Sequence, residues 1–394
     1  MANSLTALNK EVWTRKMQEI LEKELVGMQI CRTDLRSILS DGDTIHKPYR
    51  SEMRTADYTK GTAITVQDVT ATDESLSVDT TKVVAFYVDN IDKVQNSYNT
   101  MSEFATDAQR KLNRAIDRIV LKEYVSADSS VDDGDIGGTS GNSAVINSSN
   151  INRVFSSAGR KLNVLNVGKA GRFAVISPSV LEQIQLYTAG KDTSFGDTAL
   201  ENGYVGNRFG FEIYVSNNLT NTARWTPANN PSNGGTITIA GVTFTFVSSI
   251  GSTAGNVLIG NATADTLDNL VALINDQGTT SATQVALSDA SRAALDGIVA
   301  TDGTTYLGIQ FVGGGEVAYT TSVAADAWSV ETVHCLFGQK GASDLVIQAA
   351  PNMEVKDISD KLGVNVLCWT LFGIKTFDDG DKKLVDVKID SSTF

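Results

Sequence analysis

The clearest pattern of apolar and polar positions lies between residues 101 and 125. Apolar side chains recur there at three- and four-residue spacing, which is the period of an amphipathic helix. This stripe consists of Met101, Phe104, Ala108, Leu112, Ala115, Ile116, Ile119 and Tyr124. Thr100 and Glu103 have the spacing of a capping box. We therefore predict one helix over 101–125, about 38 Å long at roughly 1.5 Å per residue.

The opposite face of this helix is basic, and carries Arg110, Lys111, Arg114, Arg118 and Lys122. Three acidic residues, Asp107, Asp117 and Glu123, are interspersed with these cations. The face is therefore either an ordinary solvated surface or a stripe that looks towards something anionic.

A second helical pattern covers residues 9–27, with Trp13 and Met17 on its apolar side. Its other face alternates Lys and Glu. This helix packs either on its own domain or, as an arm, on a neighbouring subunit.

Strand-like alternation of apolar and polar residues appears at Ala63–Val69 and at Val78–Val88. In the second stretch, Val84, Phe86 and Val88 point one way while the residues between them point the other way. Two such strands reach about 33 Å at ~3.3 Å per residue. A hairpin of this length is marginal alone, so we expect the segment 43–90 to rest on something else.

Helix and strand patterns then alternate along the chain. They predict a helix near 151–162, a strand over 172–177, a helix over 178–187 and a strand within 205–219. The last part of the chain predicts two or three strands with a turn at 378–383.

Residues 226–332 differ from the rest in composition. They are rich in Gly, Thr, Ser, Ala and Asn, and they hold one Arg against nine acidic residues. They also contain strand and helix patterns of their own. These features indicate an inserted domain outside the main body, joined to it by two adjacent chain crossings.

Composition narrows the class of protein. A net charge of −13 argues against a dedicated nucleic-acid binder, because such proteins concentrate Lys and Arg against phosphate. Three widely spaced cysteines favour a reducing compartment over a disulfide framework. We expect neither a signal peptide nor a membrane span, since no apolar run is long enough.

Motifs for catalysis or metal binding are not evident in the sequence. The two histidines, His46 and His334, lie in no metal-ligand spacing. His334 and Cys335 are neighbours on a predicted strand and so point to opposite faces. The acidic run Asp132, Asp133 and Asp135 lacks the remainder of a calcium loop. No phosphate-binding loop occurs either.

The order of these elements resembles the major capsid protein of tailed double-stranded-DNA bacteriophages, and particularly the coat proteins of short-tailed phages. The similar stretches are KVVAFYVDNIDKVQ at 82–95, FAVISPSVLEQI at 173–184, GFEIYVSNNL at 210–219, FGQKGASDLVIQ at 337–348 and DKLGVNVLCWTLFGIKT at 360–376. The likeness covers roughly residues 5–224 and 333–390. It rests on the order of these stretches along the chain and not on any single motif. Residues 226–332 lie outside it.

This resemblance implies an α+β fold, the tailed-phage major capsid fold, with an inserted α+β or β-rich domain. It assigns an N-terminal arm at 1–42, an E-loop hairpin at 43–95, a peripheral domain at 96–165 with the spine helix at 101–125, an axial domain at 166–224, the insert at 226–332, and a return through the axial domain with closing peripheral strands at 333–394.

The resemblance also implies a structural function. Many copies form hexamers and pentamers that close into an icosahedral shell around the phage genome, with no catalytic residue, cofactor or metal. Expected partners are other copies, scaffolding and portal proteins, and double-stranded DNA enclosed without sequence recognition, but no membrane. The protein is expected in the virion after assembly in the host cytoplasm.

Candidate residues follow from the same resemblance. Those expected at contacts between subunits are Trp13, Met17, Tyr49, Arg50, Arg54 and Tyr58. Those expected to face the lumen are Arg110, Arg114 and Arg118.

Other classes of protein remain open at this point. An encapsulin-type compartment shell shares the fold. An extracellular adhesin or surface-layer protein fits the Thr/Gly/Asn-rich strands, but not the two amphipathic helices. A cytoplasmic enzyme with a loop-rich site would need chemistry that the motifs do not supply.

Overall fold

The computed structural model describes residues 25–37, 42–50, 52–91, 100–190, 207–323, 327–358 and 362–392. The α-helices are α1 Gly27–Ile30, α2 Thr100–Leu121, α3 Asp133–Ile136, α4 Ile151–Val164, α5 Pro178–Ala189, α6 Thr263–Asn275, α7 Asp289–Ala294 and α8 Asp378–Asp381. None of them is both long and apolar enough to cross a membrane.

The strands are β1 Thr44–Arg50, β2 Ala71–Ser77, β3 Thr80–Asp89, β4 Ser129–Val131, β5 Arg172–Ile176, β6 Glu212–Val215, β7 Thr220–Thr226, β8 Thr236–Ile239, β9 Val242–Val247, β10 Asn256–Leu258, β11 Ile298–Asp302, β12 Leu307–Phe311, β13 Tyr319–Thr321, β14 Ala327–Gln339, β15 Ser343–Asp357, β16 Gly363–Thr376 and β17 Leu384–Asp390.

A large mixed sheet forms the centre of the body. Its order is β11-β12-β7-β14-β17-β4, and β5 pairs with both β14 and β6. Every residue of β5 is buried, as expected of a continuous apolar run covered on both faces. Helices α4 and α5 pack on this sheet through residues such as Phe155, Leu162 and Ile184. The mixed α+β fold class that the sequence predicts is therefore confirmed.

The long helix α2 packs on a smaller sheet of order β15-β16-β3. Ala108 and Leu112 of the helix contact Val88, Val364 and Val366 of the sheet. The helix continues at residues 122–126 as a 3₁₀ turn. The predicted helix is thus present, with its last turn tightened; the first half of its apolar stripe lies on the small sheet, and Ile116 and Tyr124 enter the core of the large sheet.

The predicted strand at Ala63–Val69 is wrong. The hairpin instead pairs β1 with β2, from Thr44↔Ser77 to Arg50↔Ala71, and β3 pairs with β16. Strand β3 lies on α2 because Val84, Phe86 and Val88 find an apolar partner there. Residues 63–69 have the same alternation but no ladder partner among the described residues of this chain.

Residues 129–164 pack in the core of the large sheet, which they share with Val120 and Leu121 at the end of α2. Strand β4 pairs with β17, and α4 contributes Val154 and Phe155 to the core of the large sheet. The domain boundary at residue 165 stays a prediction.

The segment 226–332 has a core of its own, formed by residues such as Phe244, Leu270 and Ile309. Its two crossings are adjacent, since Trp225 pairs with Trp328. It does not lie outside the body, however, because β12 pairs with β7 and so extends the large sheet. Trp225, which precedes the expected boundary, is buried in the core of the insert.

Arg118 of α2 fixes the insert to the long helix. The side chain is only 7% exposed, and Nη1 donates to Asp296 Oδ2 at 2.6 Å. Gly297 and Gly313 approach the guanidinium so closely that a Cβ at either position would contact it. The expectation that Arg118 faces the lumen is therefore wrong: two glycines almost two hundred residues later make room for it in the interior.

Three further polar contacts join the insert to the body. Glu316 Oε1 accepts from the backbone N–H of Ser179 at 2.7 Å, in the first turn of α5, where the helix dipole favours an anion. Tyr319 donates its hydroxyl to Asn221 Oδ1 at 2.6 Å, and the Gln310 amide donates to the Tyr124 hydroxyl. The insert thus braces α2, α5 and the large sheet against one another.

Replacing Gly313 by Ala tests this brace. Gly313 has φ +75° and a Cβ would overlap Arg118, whereas Gly241, with φ +78°, has open space around it. We expect Gly241→Ala to lower the free energy of unfolding by about 1–2 kcal/mol, and Gly313→Ala to lower it by about 1–3 kcal/mol more. Denaturant unfolding of the unassembled chain measures both.

The Arg118→Ala background supplies the control for this comparison. Once the guanidinium is removed, Gly313→Ala should lower the free energy of unfolding no more than Gly241→Ala does, because only the strain of an alanine at positive φ remains. If Gly313→Ala lowers the free energy of unfolding more than Gly241→Ala by the same amount in the wild type and in Arg118→Ala, Arg118 does not fill this space.

Candidate assembly surfaces

The hairpin β1–β2 is anchored firmly at its base. Ile45, Leu76 and Val78 form one apolar cluster with Val346 and Phe377 of the body. This burial holds the start of the hairpin against β15 and β16.

Polar contacts reinforce the same base. Lys47 Nζ donates to Asp379 Oδ1 at 2.6 Å and lies 4.6 Å from the centroid of the Phe377 ring. Lys375 Nζ donates to the carbonyl of Ser75 at 3.0 Å. The direction of the hairpin is therefore set by the body.

Beyond β1 and β2, residues 52–70 form an extended loop, which we call the tip loop. The Gln67 amide joins its two arms: Oε1 accepts from the N–H of Arg54 at 3.0 Å, and Nε2 donates to the carbonyl of Glu52 at 2.9 Å. A turn at Thr59–Thr62 closes the end, with Gly61 at φ +91°. The bridging role of Gln67 could not be predicted from the sequence, because nothing in its neighbours indicates a residue that joins two arms.

The tip loop exposes a set of large apolar side chains that the described residues of the chain do not cover. Each is more than half exposed, and Val66 is 84% exposed; the set is Met53, Tyr58, Ile64, Val66 and Val69. Apolar side chains gathered in this way mark an interaction surface.

The predicted contact residues lie on this extension where the structure describes them. Tyr49 and Arg50 end β1, and Arg54 and Tyr58 lie on the tip loop; all four are exposed. Their role at a contact stays a prediction. Trp13 and Met17 lie outside the described residues.

A second exposed surface is the face of the β15-β16-β3 sheet turned away from α2. Val83 and Tyr87 are exposed there, and Trp369 is half-buried, with Nε1 donating to Glu354 Oε1 at 3.1 Å. The alternation in β3 predicted that Val83 and Tyr87 share a face. That Trp369 lies beside them depends on the pairing Trp369↔Val83.

The cations of α2 do not form one open stripe. Arg110 and Arg114 are half-buried, and Arg118 is enclosed by the insert. A lumen-facing role for Arg110 and Arg114 stays a prediction.

The polar clusters noted in the sequence have structural partners. His334 Nδ1 lies 3.0 Å from the Asp386 carboxylate, and its ring stacks on Tyr124 at 4.0 Å between centroids. Asp132 caps α3 by accepting from the N–H of Asp135. Across the described residues, no group of three or more His, Cys, Asp or Glu side chains could hold a metal ion.

Asp117 of α2 attaches the N-terminal segment to the body. Its Oδ1 accepts from the backbone N–H groups of Val26 and Gly27 at 2.9 and 2.6 Å, and Oδ2 accepts from Asn218 Nδ2 at 2.7 Å. Burial raises the pKa of Asp117 above its ordinary value, although these three donors oppose the rise. A single carboxylate thus holds the start of α1, α2 and the body together.

Substitutions of Asp117 separate its hydrogen bonds from its charge. Asp117→Ala leaves two buried N–H groups without an acceptor, so we expect the free energy of unfolding to fall by about 2–4 kcal/mol. In Asp117→Asn the new amide can donate to Asn218 Oδ1, which is otherwise buried without a partner, once the Asn218 amide turns over. We expect a loss below about 1.5 kcal/mol. Denaturant unfolding at neutral pH measures both.

The charge of Asp117 also predicts a pH dependence. Because its pKa is raised in the folded chain, the folded state binds a proton more tightly than the unfolded state does. The stability of the wild type relative to Asp117→Asn should therefore fall as pH rises from about 4 through the raised pKa, and then stay constant. A difference that grows with pH would contradict the assignment.

Comparison with known proteins agrees with this architecture. A family model described as phage capsid protein matches residues 51–257, which is more than half of the chain. A comparison with curated protein sequences finds no match.

Solved structures from phages share the fold over almost the whole chain. A structure from Mycobacterium phage Che8 matches with a TM-score of 0.61 at 14% identity, covering 99% of each chain. The capsid structure of the cyanophage P-SCSP1u matches with a TM-score of 0.56 at 14% identity, covering 98% of this chain and 94% of that one. At this identity the likeness shows the fold.

The family match and the fold together confirm the resemblance found in the sequence, and they do not favour the encapsulin alternative. The chain belongs to the phage capsid protein family, and it is a structural, major capsid protein.

Proposed function

We propose that copies of this chain form hexamers and pentamers, and that the tip loop of each copy lies on a neighbouring copy within an icosahedral shell. The observation that carries the proposal is the contrast along one hairpin. Its base is fixed to the body by a buried apolar cluster, while its outer part exposes apolar side chains that no described part of the chain covers.

The receiving surface on the neighbour is the exposed face of the β15-β16-β3 sheet. Val83 and Tyr87 supply uncovered apolar area there. Burial of apolar surface on both sides stabilises such a contact by about 25 cal/mol per Å². Tyr49, Arg50, Arg54 and Tyr58 are the proposed contact residues of the donor copy, and Trp13 and Met17 those of its arm.

The shell encloses double-stranded DNA without reading its sequence. The chain carries a net charge of −13, which disfavours tight binding of phosphate. Arg110 and Arg114 are the proposed lumen-facing cations. Scaffolding and portal proteins are the proposed further partners, and assembly takes place in the host cytoplasm before the protein enters the virion.

Shortening the hairpin tests the proposal. Arg50 and Ala71 are the last paired residues, so residues 51–70 can be replaced by Asn-Gly, which favours a two-residue type I′ turn. We expect the unfolding free energy of the variant to stay within about 1 kcal/mol of the wild type, because the removed side chains are exposed. Electron microscopy and sedimentation should show closed shells for the wild type and small species for the variant.

Two outcomes would contradict this account in different ways. Shells formed by the variant with the size and yield of the wild type would show that the tip loop is not the contact. A wild-type chain that stays monomeric at high concentration would contradict shell formation itself.

A further inference from the structure

A strained turn displays an aromatic ring on the surface of the body. Arg208 and Phe211 exchange both backbone hydrogen bonds, at 3.1 and 2.8 Å, across the two residues Phe209 and Gly210. Both central residues have positive φ, +49° for Phe209 and +82° for Gly210. This is the geometry of a type I′ turn, whose first central position favours Asn, Asp or Gly.

Phenylalanine is an unfavourable residue at this position. A side chain with a Cβ is strained in the left-handed region, and the ring gains little from burial, since Phe209 is 57% exposed. Backbone strain of this kind is concentrated at sites of ligand or partner contact. The turn therefore places an aromatic ring in solvent, where it packs little against the described part of the fold.

The ring lies at the edge of a groove of about 540 Å³. The exposed Val164 contributes apolar surface to it, and Arg160 and Lys169 lie among the residues that line it. Beneath them, Arg172 is held rigidly, because its guanidinium donates to the Asn163 side chain and to the carbonyls of Val167 and Gly168. The groove thus combines apolar surface with positive charge.

We propose that Phe209 and this groove form a docking site for a second copy of this chain, which presents carboxylates to Arg160 and Lys169. The inference rests on the proposed function, since it needs a chain that assembles. The insert of each copy holds one Arg against nine acidic residues, so the insert of a neighbouring copy can supply carboxylates that complement the groove. A closed ring joins two different surfaces of each subunit, and an exposed aromatic beside arginine has the composition of an interface hot spot.

Nucleic acid fits the groove less well. DNA-binding surfaces draw most of their affinity from many phosphate contacts. Here three cations line the groove, Arg160, Lys169 and Arg172, which is few for a surface that follows a phosphate backbone.

Matched glycine substitutions test the proposal. Ala240 and Gly241 form the same kind of turn between Ile239 and Val242, with φ values of +51° and +78°, but Ala240 bears no exposed ring. Phe209→Gly and Ala240→Gly both relieve backbone strain, so both should raise the melting temperature of the unassembled chain. Only Phe209→Gly should lower the yield of shells, by about tenfold.

A charge variant tests the basic lining independently. Lys169→Glu should lower the shell yield and should recover part of it in high salt, because salt screens the new repulsion. Lys382→Glu, at another exposed lysine, should leave the yield unchanged.

Each outcome bears on the proposal directly. Shell yields equal for Phe209→Gly and Ala240→Gly would overturn it. Normal shells with weakened binding of duplex DNA by Phe209→Gly would assign the groove to nucleic acid and would also overturn it. If wild type and Ala240→Gly both form no shells, the proposed function fails instead.

Discussion

The central constraint in this molecule is that one end of the β1–β2 hairpin is fixed, while its other end has no surface to lie on among the residues that the structure describes. Ile45 and Leu76 bury the base beside Phe377, and Lys47 pairs with Asp379 across the same junction. Apolar side chains such as Ile64 and Val66 remain in solvent farther out. Exposed apolar surface on a fixed support is best stabilised by a partner, and the partner that we propose is another copy.

The long helix α2 makes this arrangement rigid because it contacts each neighbouring part through a different face. Ala108 and Leu112 pack on the sheet that contains β3. Asp117 binds the N-terminal segment and Asn218, and Arg118 enters the insert beside Asp296. Two adjacent residues of α2 therefore connect the N-terminal segment, the body and the insert.

Local sequence patterns correctly predicted the elements that local contacts stabilise or that have a broad apolar face. The helix over 101–125 and the strand and helix around residues 172–187 follow from periodicity alone. Residues 63–69 have the same alternation as β3, yet they form no strand, because alternation does not reveal whether a ladder partner exists. The sequence places Arg118 on the polar face of the helix. Its burial could not be predicted, because the space it occupies is formed at Gly297 and Gly313, far along the chain. The type I′ turn at Phe209 could not be predicted, because Gly210 indicates a bend but does not give the sign of φ at the residue before it.

Amide hydrogen exchange of the tip loop, compared between the unassembled chain and assembled shells, tests the central claim most directly. The account predicts rapid exchange at residues 52–70 in the unassembled chain and at least about tenfold slower exchange in shells, with β1 and β2 protected in both. Exchange at 52–70 that is equally rapid in shells, or already slow in the unassembled chain, would contradict it.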